Sequence, residues 1–366
     1  MQEALGATPL GTMGASVSGL WTVPTSEDNS AVRDFTATAT DTAGNIRAAS
    51  AAYYEGTSGN DVFNFSSDGQ LSAAALINGG SGIDTIGLTS AATLTDADFA
   101  HAQSIEILGL TGASSVALGA NAAAAGISTV ATGAGATNVT DSNSGTLAVN
   151  AAALASGATL TLTGSTAATV SALGGNLNAA GDSGALTVTT SGAAAETVTT
   201  GSGNTWITDG FSTKSVLTVN AAALASANTL TLTSAPGGIT VSALNGNLNA
   251  AGDTHTLVVT TTGAKAQSIV TGTQTTSITG SGAGAVTVDA TALTSGATLT
   301  LAGAAAETVN NLVGNVAASG LSGNLNVTTG AGSLSIATGT GPNTINAGAL
   351  GSGKTIWQAK PVWRTA

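Results

Sequence analysis

The chain repeats itself. Leu147-Ala-Val149-Asn150-Ala-Ala-Ala-Leu154 returns as Leu217-Thr-Val219-Asn220-Ala-Ala-Ala-Leu224 and again as Val286-Thr-Val288-Asp289-Ala-Thr-Ala-Leu293, a period of about 70 residues. Each copy holds short alternating runs, among them Thr159-Leu-Thr-Leu162, Thr169-Val-Ser171, Leu186-Thr-Val188, Thr197-Val198 and Trp206-Ile207, separated by Gly-rich turns. Period-two alternation over so few residues predicts short strands about ten residues apart, with almost no helix-length segment between them. A strand of that length cannot bury its apolar face alone, so neighbouring units must stack. The expectation is an all-β fold: a parallel β-solenoid, or β-helix, built from about 70-residue repeats.

Composition agrees with a narrow core. Apolar residues make up 42% of the chain, but only 3% are aromatic and 7% charged. Small and β-branched side chains fill a thin space between closely stacked strands, whereas a wide core draws on Phe, Tyr and Trp. Ile207, Ile278 and Ile345 return at matching places while Trp206 is matched by Ser277, which predicts an inward ladder of isoleucines. Asp182 matches Asp253 but then Leu321, and Glu196 matches Gln267, so these carboxylates are expected to be solvated turn residues. Asn150, Asn220 and Asp289 are N-cap types before Ala/Leu segments, with Gly157 and Gly296 placed to end a short helical turn.

Upstream the chemistry changes. Acidic residues crowd between Glu3 and Glu106, and the chain as a whole has a net charge of -12 with 7 Lys and Arg, which excludes a basic nucleic-acid footprint. Cys is absent, so disulfides and thiolate metal sites are excluded. Met1 to Gly14 lack a basic start and an apolar run, and no Sec-type signal is expected there. Val116 to Val130 is mostly Ala and Gly, too weakly apolar to predict a membrane span. Three regions are expected: 1–55, 56–145 and 146–366.

In the first, Trp21-Thr22-Val23-Pro24 precedes a polar loop, Phe35 to Thr40 alternates with period two, and Asp41-Thr-Ala-Gly44-Asn45 supplies turn chemistry. These residues predict antiparallel strands. They resemble the closing half of a bacterial Ig-like domain; a complete sandwich needs about 100 residues, so the resemblance implies a partial module.

In the second region, Gly79-Gly80-Ser81-Gly82-Ile83-Asp84-Thr85-Ile86-Gly87 fits the calcium-binding pattern G-G-x-G-x-D-x-U-x throughout. Gly56-Thr57-Ser58-Gly59-Asn60-Asp61-Val62-Phe63-Asn64 fits it with one departure, Thr57. Glycines let the backbone turn its carbonyl oxygens inward, Asp adds a charged oxygen, and a hard Ca²⁺ ion suits such a donor set. The candidate metal residues are Gly56, Gly59, Asp61, Gly79, Gly80, Gly82 and Asp84. Here the chain resembles the RTX family of type I secreted proteins, including giant adhesins and surface-layer proteins. In tandem RTX rolls the nonapeptides follow directly; here their starts are 23 residues apart, so a complete multi-ion roll is not expected. Residues Ala91 to Ala131, with Leu94 to Ala100 and Ser104 to Leu108, are more loosely similar to the β repeats of such surface proteins.

Other chemistries fail on context. Gly348 to Thr355 satisfies the phosphate-loop expression, but only eleven residues follow it, too few for the strand–loop–helix frame a nucleotide needs. His101 and His255 lie in no nucleophile motif, and the six carboxylates after Thr146 do not cluster in sequence, so no enzyme is expected. The Thr-x-Thr runs at Thr159 and Thr229 raise an ice-binding reading, and Trp206 and Phe211 a carbohydrate-binding one. The resemblance implies a non-enzymatic, extracellular protein of the bacterial cell surface, stabilised by calcium and acting as scaffold or spacer. Its implied partners are calcium, other copies in a surface lattice, or cell-surface polysaccharide, with neither nucleic acid nor membrane span.

Overall fold

A computed structural model describes residues 2–5, 8–12, 34–40, 46–191, 195–210, 216–233, 237–331, 333–350 and 356–359. The chain divides into two compact units, Met1–Val149 and Asn150–Ala366. Trp21 to Pro24, Asp41 to Asn45, Phe211 and the Lys354-Thr355 end of the phosphate-loop match lie outside the described residues.

The second unit is a parallel β-solenoid with two facing ladders. One runs from Ala168–Leu173 through Leu186–Thr190 and Thr205–Thr208 to Asn343–Asn346; the other runs from Thr159–Gly164 through Asn176–Asp182 to Ile356–Ala359. Each strand pairs in parallel with the next but one in sequence, because every coil contributes one strand to each ladder. Alternation then sorts the side chains. Leu186 and Val188 are fully buried while Thr187 and Thr189 face solvent, and the same inward column continues from Val188 to Ile207 and Leu232. Burial of each such aliphatic side chain contributes about 1.5–3 kcal/mol. Among the described residues, Leu, Ile and Val dominate the narrow gap between these ladders.

Strands matched by sequence stand seven apart in chain order: Thr205–Thr208, Thr276–Gly280 and Asn343–Asn346. Seven is odd and successive strands alternate between the two ladders, so matched strands of successive copies fall on opposite ladders. This corrects the expected isoleucine ladder. Ile207 and Ile278 are buried, as their alternation predicts, but Ile207 stacks between Val188 and Leu232, and Ile278 between Val259 and Leu301 on the other side. Ile345 stacks on Val327 and is only half-buried.

The carboxylates expected in solvent are a second correction. Asp182, Glu196 and Asp253 are all buried, as is Gln267. Glu196 shares the inward face with Val198 by simple period two, and Asp182 and Asp253 turn inward at coil corners, where their Oδ1 atoms accept the N–H groups of Gly184 and His255. The short helical turns are replaced by Asx turns: Asn150, Asn220 and Asp289 accept the N–H groups of Ala152, Ala222 and Thr291.

In the first unit Asp34–Thr40 pairs antiparallel with Ile46–Glu55, as the alternation predicts, and Gln2–Leu5 pairs antiparallel with Asp34–Thr40. The end of Ile46–Glu55 then turns to parallel pairing, Tyr53 opposite Leu76, and opens a short third ladder that continues to Ala102–Gln103. Parallel coils follow, with Val62–Phe65, Thr85–Leu88, Ile107–Leu110 and Thr129–Ala131 in one ladder and Thr93–Leu94, Ser114–Leu118 and Thr137–Asp141 in the other. Tyr54 packs edge-on against Phe63 and Phe65, with ring centroids 6.2 and 5.0 Å away. Larger rings are used where the first coil has a parallel neighbour on one side only. Among the described residues helix is confined to Asp68–Ser72, Ala120–Ala125 and a 3-10 turn at Asp96–Phe99. Asp96 holds the start of Ala120–Ala125 by accepting the N–H groups of Gly119, Asn121 and Ala122.

Candidate functional site

The two nonapeptides occupy consecutive coils of the first unit. A coil here is 23 residues long, so Asp61 and Asp84 stand at the same place one coil apart, and Val62–Phe65 runs in register with Thr85–Leu88. The spacing that separates the motifs in sequence is what superposes them in space.

Their glycines make the superposition sterically feasible. Gly80 and Gly82 have φ of 90° and 129°, and a Cβ on either would press within 2.3 Å of Thr57 O or 2.5 Å of Gly59 O in the coil before. Gly56 and Gly79 donate their N–H groups to Asn78 and Gln103 carbonyls. Gly59 donates to Thr57 Oγ1, and Ile83 N–H reaches Asn60 Oδ1, tying one turn to the next.

The acids form a vertical row. Asp61 N–H donates to Asp84 Oδ1 at 2.7 Å, and Asp84 N–H donates to Glu106 Oε2 at 2.7 Å. Each carboxylate thus holds the backbone of the coil before it. Asp61 Oδ2 accepts Thr57 N–H at 2.6 Å and Thr57 Oγ1–H at 2.9 Å. Asp84 is fully buried, and its Oδ2 has no hydrogen-bond partner among the described residues. Burial pushes the Asp84 carboxyl above its usual range, the Asp61 N–H opposes this, and the charges of Glu106 and Asp61 add to the rise.

Glu106, Thr57 and the Ser104 carbonyl belong to this site although no motif contains them all. The signal for Glu106 was its spacing, 22 residues after Asp84 where Asp84 follows Asp61 by 23. Among the described residues no group of three or more His, Cys, Asp or Glu side chains is placed to hold a metal ion. A cation in this row would therefore rely on backbone carbonyls as well as carboxylates, a donor set that suits calcium. Asp84 Oδ2 fits that role, whereas Asp61 Oδ2 is already satisfied.

Elsewhere, His101 is exposed and His255 lies in a turn, its N–H on Asp253. Trp206 faces outward, 43% exposed, in a row with Thr187 and Thr231. Among the described residues no helix is long and apolar enough to cross a membrane. Comparison with protein-family models, curated proteins and solved structures returns no match.

Proposed function

We propose that this chain is a non-enzymatic structural segment of an RTX-type surface-layer protein or large adhesin, exported by type I secretion to the bacterial cell surface. In this reading residues 1–55 are a partial Ig-like module, 56–145 carry calcium-binding turns, and 146–366 are a spacer of about 70-residue repeats. The observation that carries it is the stacking of the two nonapeptides, with a buried carboxylate oxygen of Asp84 lacking a donor. Calcium supplies the positive charge that such an oxygen needs, and binding only the folded coils stabilises them. A solenoid suits a spacer because each coil adds about 4.8 Å of length and contacts only its neighbours.

Electron microscopy of the chain in millimolar calcium and in chelator tests the proposal. Calcium-dependent sheets are expected for a surface layer and calcium-dependent rods for an adhesin stalk; monomers indifferent to calcium would refute both.

A second reading, an adhesin segment that recognises carbohydrate or ice, draws on Trp206 among outward threonines. Ice is the weaker form, because paired residues lie 17 apart at Thr159–Asn176 but 25 apart at Thr205–Leu230, and uneven coils interrupt a flat lattice. A Trp206→Ala chain that keeps all polysaccharide binding seen in the parent would remove the carbohydrate form.

A further inference from the structure

The two stacked motifs build two similar cradles that differ in one decisive residue. In the first, a Cβ on Gly56 would stand 2.1 Å from Gly79 O and 2.9 Å from Asp61 Oδ2, so a carbonyl and a carboxylate oxygen both close on this glycine. Thr57 supplies that carboxylate oxygen with two donors, its N–H and its hydroxyl. In the second, a Cβ on Gly79 would stand 1.9 Å from Ser104 O and 2.5 Å from Asp84 Oδ2. Gly80 takes the place of Thr57, brings no hydroxyl, and turns its N–H to Asn78 Oδ1 at 3.3 Å. Asp84 Oδ2 is left buried without a partner among the described residues.

Ser104 O and Asp84 Oδ2 thus both close on Gly79, and Asp84 Oδ2 accepts no hydrogen bond among the described residues. Burying a carboxylate oxygen in that way is costly unless positive charge arrives to meet it. Glu106, whose Oε2 already holds Asp84 N–H, adds a second carboxylate beside it and is itself half-buried. Ser104 has φ of 54°, a conformation that costs a non-glycine residue about 1–3 kcal/mol and that sets its carbonyl over Gly79.

We propose that the second cradle is a single site for a hard divalent cation, held by Asp84 Oδ2 and the Ser104 carbonyl with Glu106 as the second carboxylate, and that Thr57 closes the first cradle to metal. The inference deepens the calcium reading above and rests on it. It also shifts the site from the pair of nonapeptides to the contact between the second nonapeptide and the degenerate coil after it. The full pattern match binds, and the match with one departure replaces the ion with a threonine.

Titration calorimetry of the full chain with calcium chloride, paired with melting curves in calcium and in chelator, tests this. One ion per chain is expected. Asp84→Asn should abolish binding while keeping the melting temperature in chelator at or above that of the parent, because the new amide can donate to the Ser104 carbonyl. Glu106→Gln should weaken binding about tenfold or more, a loss of about 1.4 kcal/mol, and Asp61→Asn should leave it within about twofold. If Asp84→Asn fails to fold, the contrast between Glu106→Gln and Asp61→Asn still decides. Two ions per chain, or an affinity that depends on Asp61 and not on Glu106, would overturn this assignment and leave the calcium reading standing. No binding at millimolar calcium would overturn both.

Discussion

Glu307 leads a strand whose sequence equivalents begin with Ala168 and Ile239, and it is buried like them. It stacks between Val286 and Leu325, and neither carboxylate oxygen has a hydrogen-bond partner among the described residues. Burial alone pushes its pKa from 4.5 up to about 8. Below about 4.5 both folded and unfolded chains carry this proton; between there and about 8 only the folded chain does, so stability falls as pH rises, by about 1.4 kcal/mol per unit, and levels off above. Urea denaturation of the parent at pH 5 and pH 8 should show a loss of a few kcal/mol, and Glu307→Gln should remove most of it. An unchanged difference in the variant would assign the pH dependence to other groups. The period-two relation to Val309 was the one sequence signal for this burial; composition pointed the other way, because a lone Glu ordinarily faces water.

At the level of the strand, Ala172, Ala243 and Asn311 occupy matching places with φ of 51°, 52° and 57°. Each sits where the ladder register slips before an inward Leu, between Val170 and Leu173, Val241 and Leu244, or Val309 and Leu312. The left-handed conformation costs an alanine about 1–2 kcal/mol, and Asn accepts it more readily. Ala243→Asn should therefore raise stability by about 0.5–1 kcal/mol in urea denaturation; a loss would show that the methyl group packs usefully there. On the strand Thr276–Gly280 the alternation makes a sharper contrast. Ile278→Ala opens a cavity and should cost about 2–5 kcal/mol, whereas Ser277→Ala on the outward face should change stability by less than about 0.5 kcal/mol. Comparable losses would contradict the assigned faces. Alternation made these faces legible in the sequence. The left-handed corners were not, since two of the three are alanines, which carry no mark of positive φ.

Across the second unit, each coil touches the coils before and after it, so damage should spread by ladder contact and not by sequence equivalence. Hydrogen exchange on Ile278→Ala should accelerate first at Val259 and Leu301, its ladder neighbours, and leave Ile207 and Val327 near parental rates. Matched acceleration at Ile207 would restore the single isoleucine ladder that the repeat suggested. Strand-sized alternation, Gly-rich turns, a thin aliphatic composition and the internal repeat were enough to point to a parallel solenoid, because stacking coil on coil buries the one apolar face of each short strand. The nonapeptides likewise marked where the backbone must approach itself closely. Which ladder each repeat joins was decided only in three dimensions, by the parity of strands per repeat, a property invisible to residue matching. The same holds for the carboxylates of Asp182 and Asp253, which turn inward at coil corners. The cradles at Asp61 and Asp84 divide between sequence and tertiary structure: Thr57 against Gly80 is written in the motif itself, whereas the burial of Asp84 Oδ2 follows from how the coils stack on it.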